Sequence, residues 1–158
     1  MMTGGDDVSD IENPREPLQI MVRRFGLLDK NCCTVGEHEI SLVQSHILYE
    51  INHQHEPSMQ QIAETLAMDI TTFSRQVQTL IKKNLVQKTA LPEDRRVYIL
   101  SLTDEGKFVT TAIDQRMNTH LNEVFSFMTD SEKETVIQSI KLLNESMLKS
   151  KMCCTPLG

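Results

Sequence analysis

Apolar side chains recur every three or four residues along most of this chain, the spacing that turns one face of a helix inward. Residues 16–30 carry Leu18, Met21, Val22, Phe25 and Leu28 on one such stripe and predict an amphipathic helix. A second helix begins near Ser41, where Ser41 and Gln44 have the spacing of a capping box, and it carries Leu42, Val43, Ile47, Leu48 and Ile51 before ending ahead of Pro57. Ser58 and Gln61 repeat that signature and open a short helix with Ile62, Ala63 and Leu66. After a brief turn at Met68 and Asp69, residues 71–83 predict a further helix. Its inward positions are Phe73, Val77, Leu80 and Ile81, and its outward positions are Thr71, Ser74, Arg75 and Gln78. Asn84 stands where that helix must stop, and Asn tolerates the left-handed backbone that ends many helices.

The period then changes from helical to alternating. Residues 85–90 and 97–102 read as two strands, the second setting Tyr98, Leu100 and Leu102 against Val97, Ile99 and Ser101. Leu91 to Arg96 is a polar loop between them. Thr103 caps a long helix running to about Met128, with Phe108, Ala112, Met117, His120, Leu121, Val124 and Met128 as its apolar stripe. Thr129 and Glu132 form a third capping box and open a last helix with Val136, Ile137, Ile140, Leu143, Met147 and Leu148. The expected fold is mainly α (α+β): two short helices, a tight turn and a hairpin in the middle, and long helices at both ends.

Composition narrows the class. The chain has 158 residues, 39% of them apolar, with no Trp, two Tyr and five Phe, so aliphatic residues and Met must fill the interior. No apolar run approaches the ~18 residues of a membrane span. Residues 1–13 are acidic without an apolar centre, unlike a secretory signal, and are expected to form a disordered tail. The expected compartment is the cytoplasm, with reduced cysteines. No nucleophile elbow, phosphate loop or zinc-protease motif appears, so an enzyme is not expected.

The net charge of −6 alone argues against nucleic acid, but the charge is unevenly placed. Residues 71–101 hold Arg75, Lys82, Lys83, Lys88, Arg95 and Arg96 against Glu93 and Asp94 only. A local basic patch on an acidic body can bind a polyanion. Residues 58–84 read as helix-turn-helix. The outer face of the second helix presents hydroxyl, amide and guanidinium groups, a composition that suits the major groove. The hairpin behind it carries Arg95 and Arg96 at its tip, where arginines can probe a narrow, negative minor groove.

Residues 58–106 resemble the winged helix-turn-helix of the MarR family of bacterial transcription regulators. The matching pieces are residues 59–66 (MQQIAETL), 71–75 (TTFSR), 80–86 (LIKKNLV), 92–96 (PEDRR) and 101–106 (SLTDEG). With the flanking long helices, the resemblance covers about residues 16–150. Asn84 stands where the family usually has Gly, and Ile70 where a polar or basic residue is common. The resemblance implies a homodimer held by interleaved terminal helices and a pseudo-palindromic double-stranded DNA operator. It also implies repression relieved by an effector. It divides the chain into a helical dimerisation region, 14–40 and 103–152, around a winged unit, 41–102, with a tail at 153–158. It implies DNA contacts by Thr71, Thr72, Ser74 and Arg75 in the major groove, and Gln78, on the same outward face, is a further candidate contact. Arg96 would enter the minor groove beside Arg95, with Asp94 orienting it.

Four cysteines stand in two neighbouring pairs, Cys32–Cys33 and Cys153–Cys154. Neighbouring thiols suit a soft metal, a metalloid such as arsenite, or an oxidant, so these four residues are the expected effector sensors. The alternative is that they are apolar filler and the effector is a small organic ligand bound between the dimerisation and DNA-binding regions. A winged helix serving protein contacts alone is a further alternative. No obligatory cofactor is expected, and the absence of C-x-x-C spacing argues against structural zinc. His53 and His55 form an H-x-H pair that reads more readily as a solvated pair than as metal ligands.

Overall fold

The structure, a computed structural model, describes residues 13–29 and 32–150. The expected tails at 1–13 (apart from Asn13) and 153–158, together with Lys30, Cys153 and Cys154, lie outside the described residues.

Helix α1 spans Arg15–Phe25, shorter than the apolar spacing predicts. Gly26 stops it by taking left-handed backbone at φ 86°, where its N–H and that of Leu27 return to the carbonyls of Arg23 and Val22. Helix α2, Leu42–His53, and helix α3, Met59–Thr65, each open on a complete capping box, Ser41 with Gln44 and Ser58 with Gln61. Helix α4 spans Ile70–Lys82. It starts one residue earlier than expected because the Asp69 carboxylate accepts the Thr72 N–H, so Asp69 is the cap rather than part of the turn.

Strands β1, Val86–Ala90, and β2, Tyr98–Leu102, pair antiparallel, with Val86 opposite Leu102 and Ala90 opposite Tyr98. A contact the sequence did not announce adds a third rung: Leu100 donates its N–H to Pro57 O at 2.9 Å, and Ser58 bridges Ile99. The start of α3 is thereby fastened to the wing. Helix α5, Asp104–Ser126, is capped by Thr103, and helix α6, Asp130–Lys149, opens on the third capping box, Thr129 with Glu132.

The core lies within the winged unit, where Ile47, Leu48, Ile62, Phe73, Leu80, Leu85 and Val109 are fully enclosed. Cys33 and Ile40 reach into it from the connection before α2, and Ile113 from α5. The winged unit therefore draws on residues on both sides of 41–102. The α5 stripe differs from expectation by one position: Val109 and Ile113 face the core, while Phe108 is 64% exposed. Val43 and Ile81 are also exposed rather than inward.

Gly106 permits the approach of α5 to the core. A Cβ there would lie 2.0 Å from the Leu85 carbonyl oxygen. The seam beside it is closed by Thr103, whose N–H donates to Leu85 O at 3.1 Å and whose hydroxyl donates to Asn84 O at 2.7 Å. Asn84 has φ 60°, the left-handed turn expected at the end of α4.

Candidate nucleic-acid interface

Two surfaces of the winged unit carry the residues expected at DNA. The first is the outer face of α4. Phe73, Val77 and Leu80 anchor the helix from below, which leaves Thr71, Arg75 and Gln78 exposed and Ser74 half-buried. Thr72 is exposed as well, but its hydroxyl donates to Asp69 Oδ2 at 2.7 Å. It can therefore accept a hydrogen bond from a base but has no proton to give a phosphate. These two hydrogen bonds from Thr72 hold the Asp69 carboxyl below the usual range. The D-x-x-T spacing ahead of the apolar stripe was the legible signal for this cap.

The second surface is the wing tip. Asp94 Oδ1 accepts from the Arg96 backbone N–H and from Arg96 Nε, both at 3.1 Å, and Oδ2 faces Arg96 Nη2 at 3.4 Å. The Arg96 side chain is 91% exposed, so this is an aimed guanidinium rather than a buried pair. Its hydrogen bonds lower the Asp94 carboxyl's pKa from the ordinary value. Arg95 beside it is exposed too. Further along the hairpin, Lys88 Nζ sits 4.2 Å from the centre of the Tyr98 ring, a cation–π contact across the strand pair.

Behind these surfaces lies the cysteine loop. Cys32 and Cys33 bring their Sγ atoms to 2.8 Å, with Cys33 buried in the core and Cys32 packed against it. Burial, the Cys33 thiol and the nearby Asp29 charge push Cys32 up to about 12, so at neutral pH it is a protonated thiol. The same loop is tied in two directions. His38 Nε2 contacts Glu105 Oε1 at 2.9 Å on the first turn of α5, and Lys83 Nζ at the end of α4 donates to Glu39 O. Neither tie was anticipated, since both join residues far apart in the chain.

Other candidate ligands stay apart. His53 stacks on Tyr49 at 3.8 Å and His55 pairs with Glu56 at 3.9 Å. Among the described residues no three His, Cys, Asp or Glu side chains gather as a metal site. His120 faces Phe25 with ring centres 5.5 Å apart, joining α5 to α1. A cavity of about 460 Å³ lies between the end of α2, the wing and α5, lined by Ile51, Pro57, Leu91, Ile99 and Leu102 with Lys107 at its side.

A capped helix lifted out of a helix-turn-helix, beside a hairpin tipped with an aimed arginine, defines a winged helix DNA-binding fold. The model of the MarR family matches residues 40–98, from the connection before α2 to the start of β2. The chain is 27% identical over 142 residues to the uncharacterised HTH-type transcriptional regulator YxaD of Bacillus subtilis, covering 87% of this chain and 97% of that one. Its fold matches Streptococcus pneumoniae FabT, solved in complex with DNA, with a TM-score of 0.78, 16% identity and coverage of 87% and 97% of the two chains. It also matches the transcriptional repressor CouR, solved on a 23-mer DNA duplex, with a TM-score of 0.71, 18% identity and coverage of 85% and 95%. These similarities are to transcriptional regulators. Among the described residues no helix is long and apolar enough to cross a membrane.

Proposed function

We propose that this protein is a homodimeric repressor that grips a pseudo-palindromic operator with α4 in the major groove and Arg96 in the minor groove. The observation that carries this reading is the Asp94 carboxylate holding an otherwise exposed Arg96 at the wing tip. An arginine fixed in place by its neighbour loses less side-chain freedom when it binds. Solved relatives on DNA, FabT and CouR, support the placement. Arg96→Ala should weaken binding to a selected operator by about 1–3 kcal/mol, read by fluorescence anisotropy at fixed salt. Asp94→Ala should lose part of the same energy. Unchanged affinity for Arg96→Ala would remove the wing from the interface.

The effector reading is capture of a trivalent metalloid by Cys32 and Cys33. Two thiols condense with arsenous acid, forming two As–S bonds and releasing two waters, with no change of oxidation state. Adjacent sulfurs 2.8 Å apart favour this chelation. A peroxide is disfavoured, because it attacks the thiolate that burial suppresses at Cys32. Chelation would strain a loop tied to α4 through Lys83 and to α5 through His38, and so alter the spacing of the two α4 helices. Cys153 and Cys154 are offered as accessory thiols from sequence alone.

The second reading, a small organic anion, is favoured by the 460 Å³ cavity with Lys107 at its side. Arsenite should release the wild type from its operator and fail to release Cys32→Ser/Cys33→Ser, which still binds DNA. Full release of that double variant would sink the thiol reading and leave the cavity as the sensor.

A further inference from the structure

Ile70 is the first residue of α4 and is 47% exposed. Its neighbours Asp69, Thr71 and Thr72 are exposed and polar, so nothing on this surface shields it. Most of the other exposed large apolar side chains lie on α1, α5 and α6, where neighbouring apolar residues form stripes. Ile70 instead stands alone at the leading end of the helix that carries Thr71 and Arg75. When a recognition helix enters the major groove, its first residues meet the base edges. An aliphatic side chain at that point has no hydrogen bond to offer. The one apolar feature in the major groove is the C5-methyl group of thymine.

We propose that Ile70 is a specificity-determining residue that reads a thymine methyl group in each operator half-site. The inference rests on the assignment of α4 to the major groove. Thr72 is a weaker reader, because Asp69 holds its hydroxyl and so fixes its rotamer. Thr71, exposed one position further on, is the competing methyl-bearing side chain. Asp69 shapes the same contact: its carboxylate stands beside Ile70 and disfavours close approach of a phosphate, leaving a base edge as the neighbour that Ile70 can meet.

The test uses the full-length protein and the operator recovered by selection from random duplexes. Each thymine is replaced in turn by deoxyuridine, which deletes only the methyl group. At one thymine per half-site the wild type should lose about 4-fold in affinity, the equivalent of one buried methyl group. Ile70→Ala should bind the intact operator about as weakly as the wild type binds an operator substituted at that thymine in both half-sites, and should no longer distinguish the two duplexes. Ile70→Val should retain part of the discrimination. A uracil penalty that persists undiminished in Ile70→Ala, or that disappears only in Thr71→Ala, overturns the proposal. So does the absence of any penalty in the wild type. Arg75→Ala on the same duplex separates the two levels. If it weakens binding while Ile70→Ala shows none of the expected pattern, only this inference fails. If neither variant changes affinity, the assignment of α4 to the groove fails with it.

Discussion

The winged unit and the terminal helices are built from the same aliphatic residues and dispose of them in opposite ways. Between Ile40 and Ile113 most of the large apolar side chains turn inward, and Phe73, Ile47 and Leu80 are sealed from water. Helices α1 and α6 bury no residue at all within the chain. Leu18 and Met21 on α1, and Ile140, Leu142, Leu143, Met147 and Leu148 on α6, remain exposed. Burying a side chain of this size stabilises by about 1.5–3 kcal/mol, and a solitary helix of this length is marginal in water. The winged unit is thus stabilised by its own contacts, whereas the terminal helices require a surface from outside the protomer. In the proposed dimer a second copy of the chain would supply the matching stripe.

The strongest challenge to this contrast is to spoil the outer stripe alone. Ile140, Leu143 and Met147 share one face of α6. Changing all three to Asp should give a monomer by sedimentation at micromolar concentration. Operator affinity should fall by about 10²–10⁴-fold, because the second half-site no longer binds as a tethered event. The winged unit should stay folded, as its core contains none of these residues. A triple variant that remains dimeric would mean the exposed stripe is not the interface.

A second pair of changes compares the closed seam with an open turn. Gly106→Ala forces a Cβ against the Leu85 carbonyl, which cannot yield without moving α5 away from Thr103's two hydrogen bonds. The expected loss is about 1–3 kcal/mol, the usual cost of overpacking. Gly26→Ala meets nothing within 4 Å, and only its φ of 86° resists the change. It should cost about 1 kcal/mol through left-handed strain alone. Urea midpoints of the two variants measure the difference. Equal losses would show that α5 has room to slide at the seam.

The same contrast governs how much the residues disclosed beforehand. All three capping boxes, the alternating wing and the Asp94–Arg96 pair were legible, because each depends on neighbours within a few positions. The α5 face was misplaced by one residue because that helix carries two apolar stripes, and periodicity shows a stripe without showing what covers it. Val109 and Ile113 meet the core, whereas Phe108 belongs to the outward face. The ties from Lys83 to Glu39 and from His38 to Glu105, like the Ser58–Ile99 bridge, join segments whose meeting depends on the whole fold. Gly106 was visible as part of a motif, but its purpose was not, since only the assembled seam places Leu85 against it.

The smallest expected effect lies at Asn84, where a local rule and the closed core coincide. Its φ of 60° is left-handed, and its carbonyl accepts from Thr103. That hydrogen bond uses backbone and survives any side-chain change. Asn84→Gly relieves the residual strain but loosens the unfolded chain by an opposing amount, so stability should move by less than about 0.5 kcal/mol. Asn84→Ala gains no such freedom and lacks the short polar side chain that eases left-handed backbone. It should cost about 1 kcal/mol. Thermal unfolding of both variants gives the ordering directly. If Ala matches Asn, the turn relaxes out of the left-handed region, and the junction between α4 and the wing is softer than the packing at Leu85 implies.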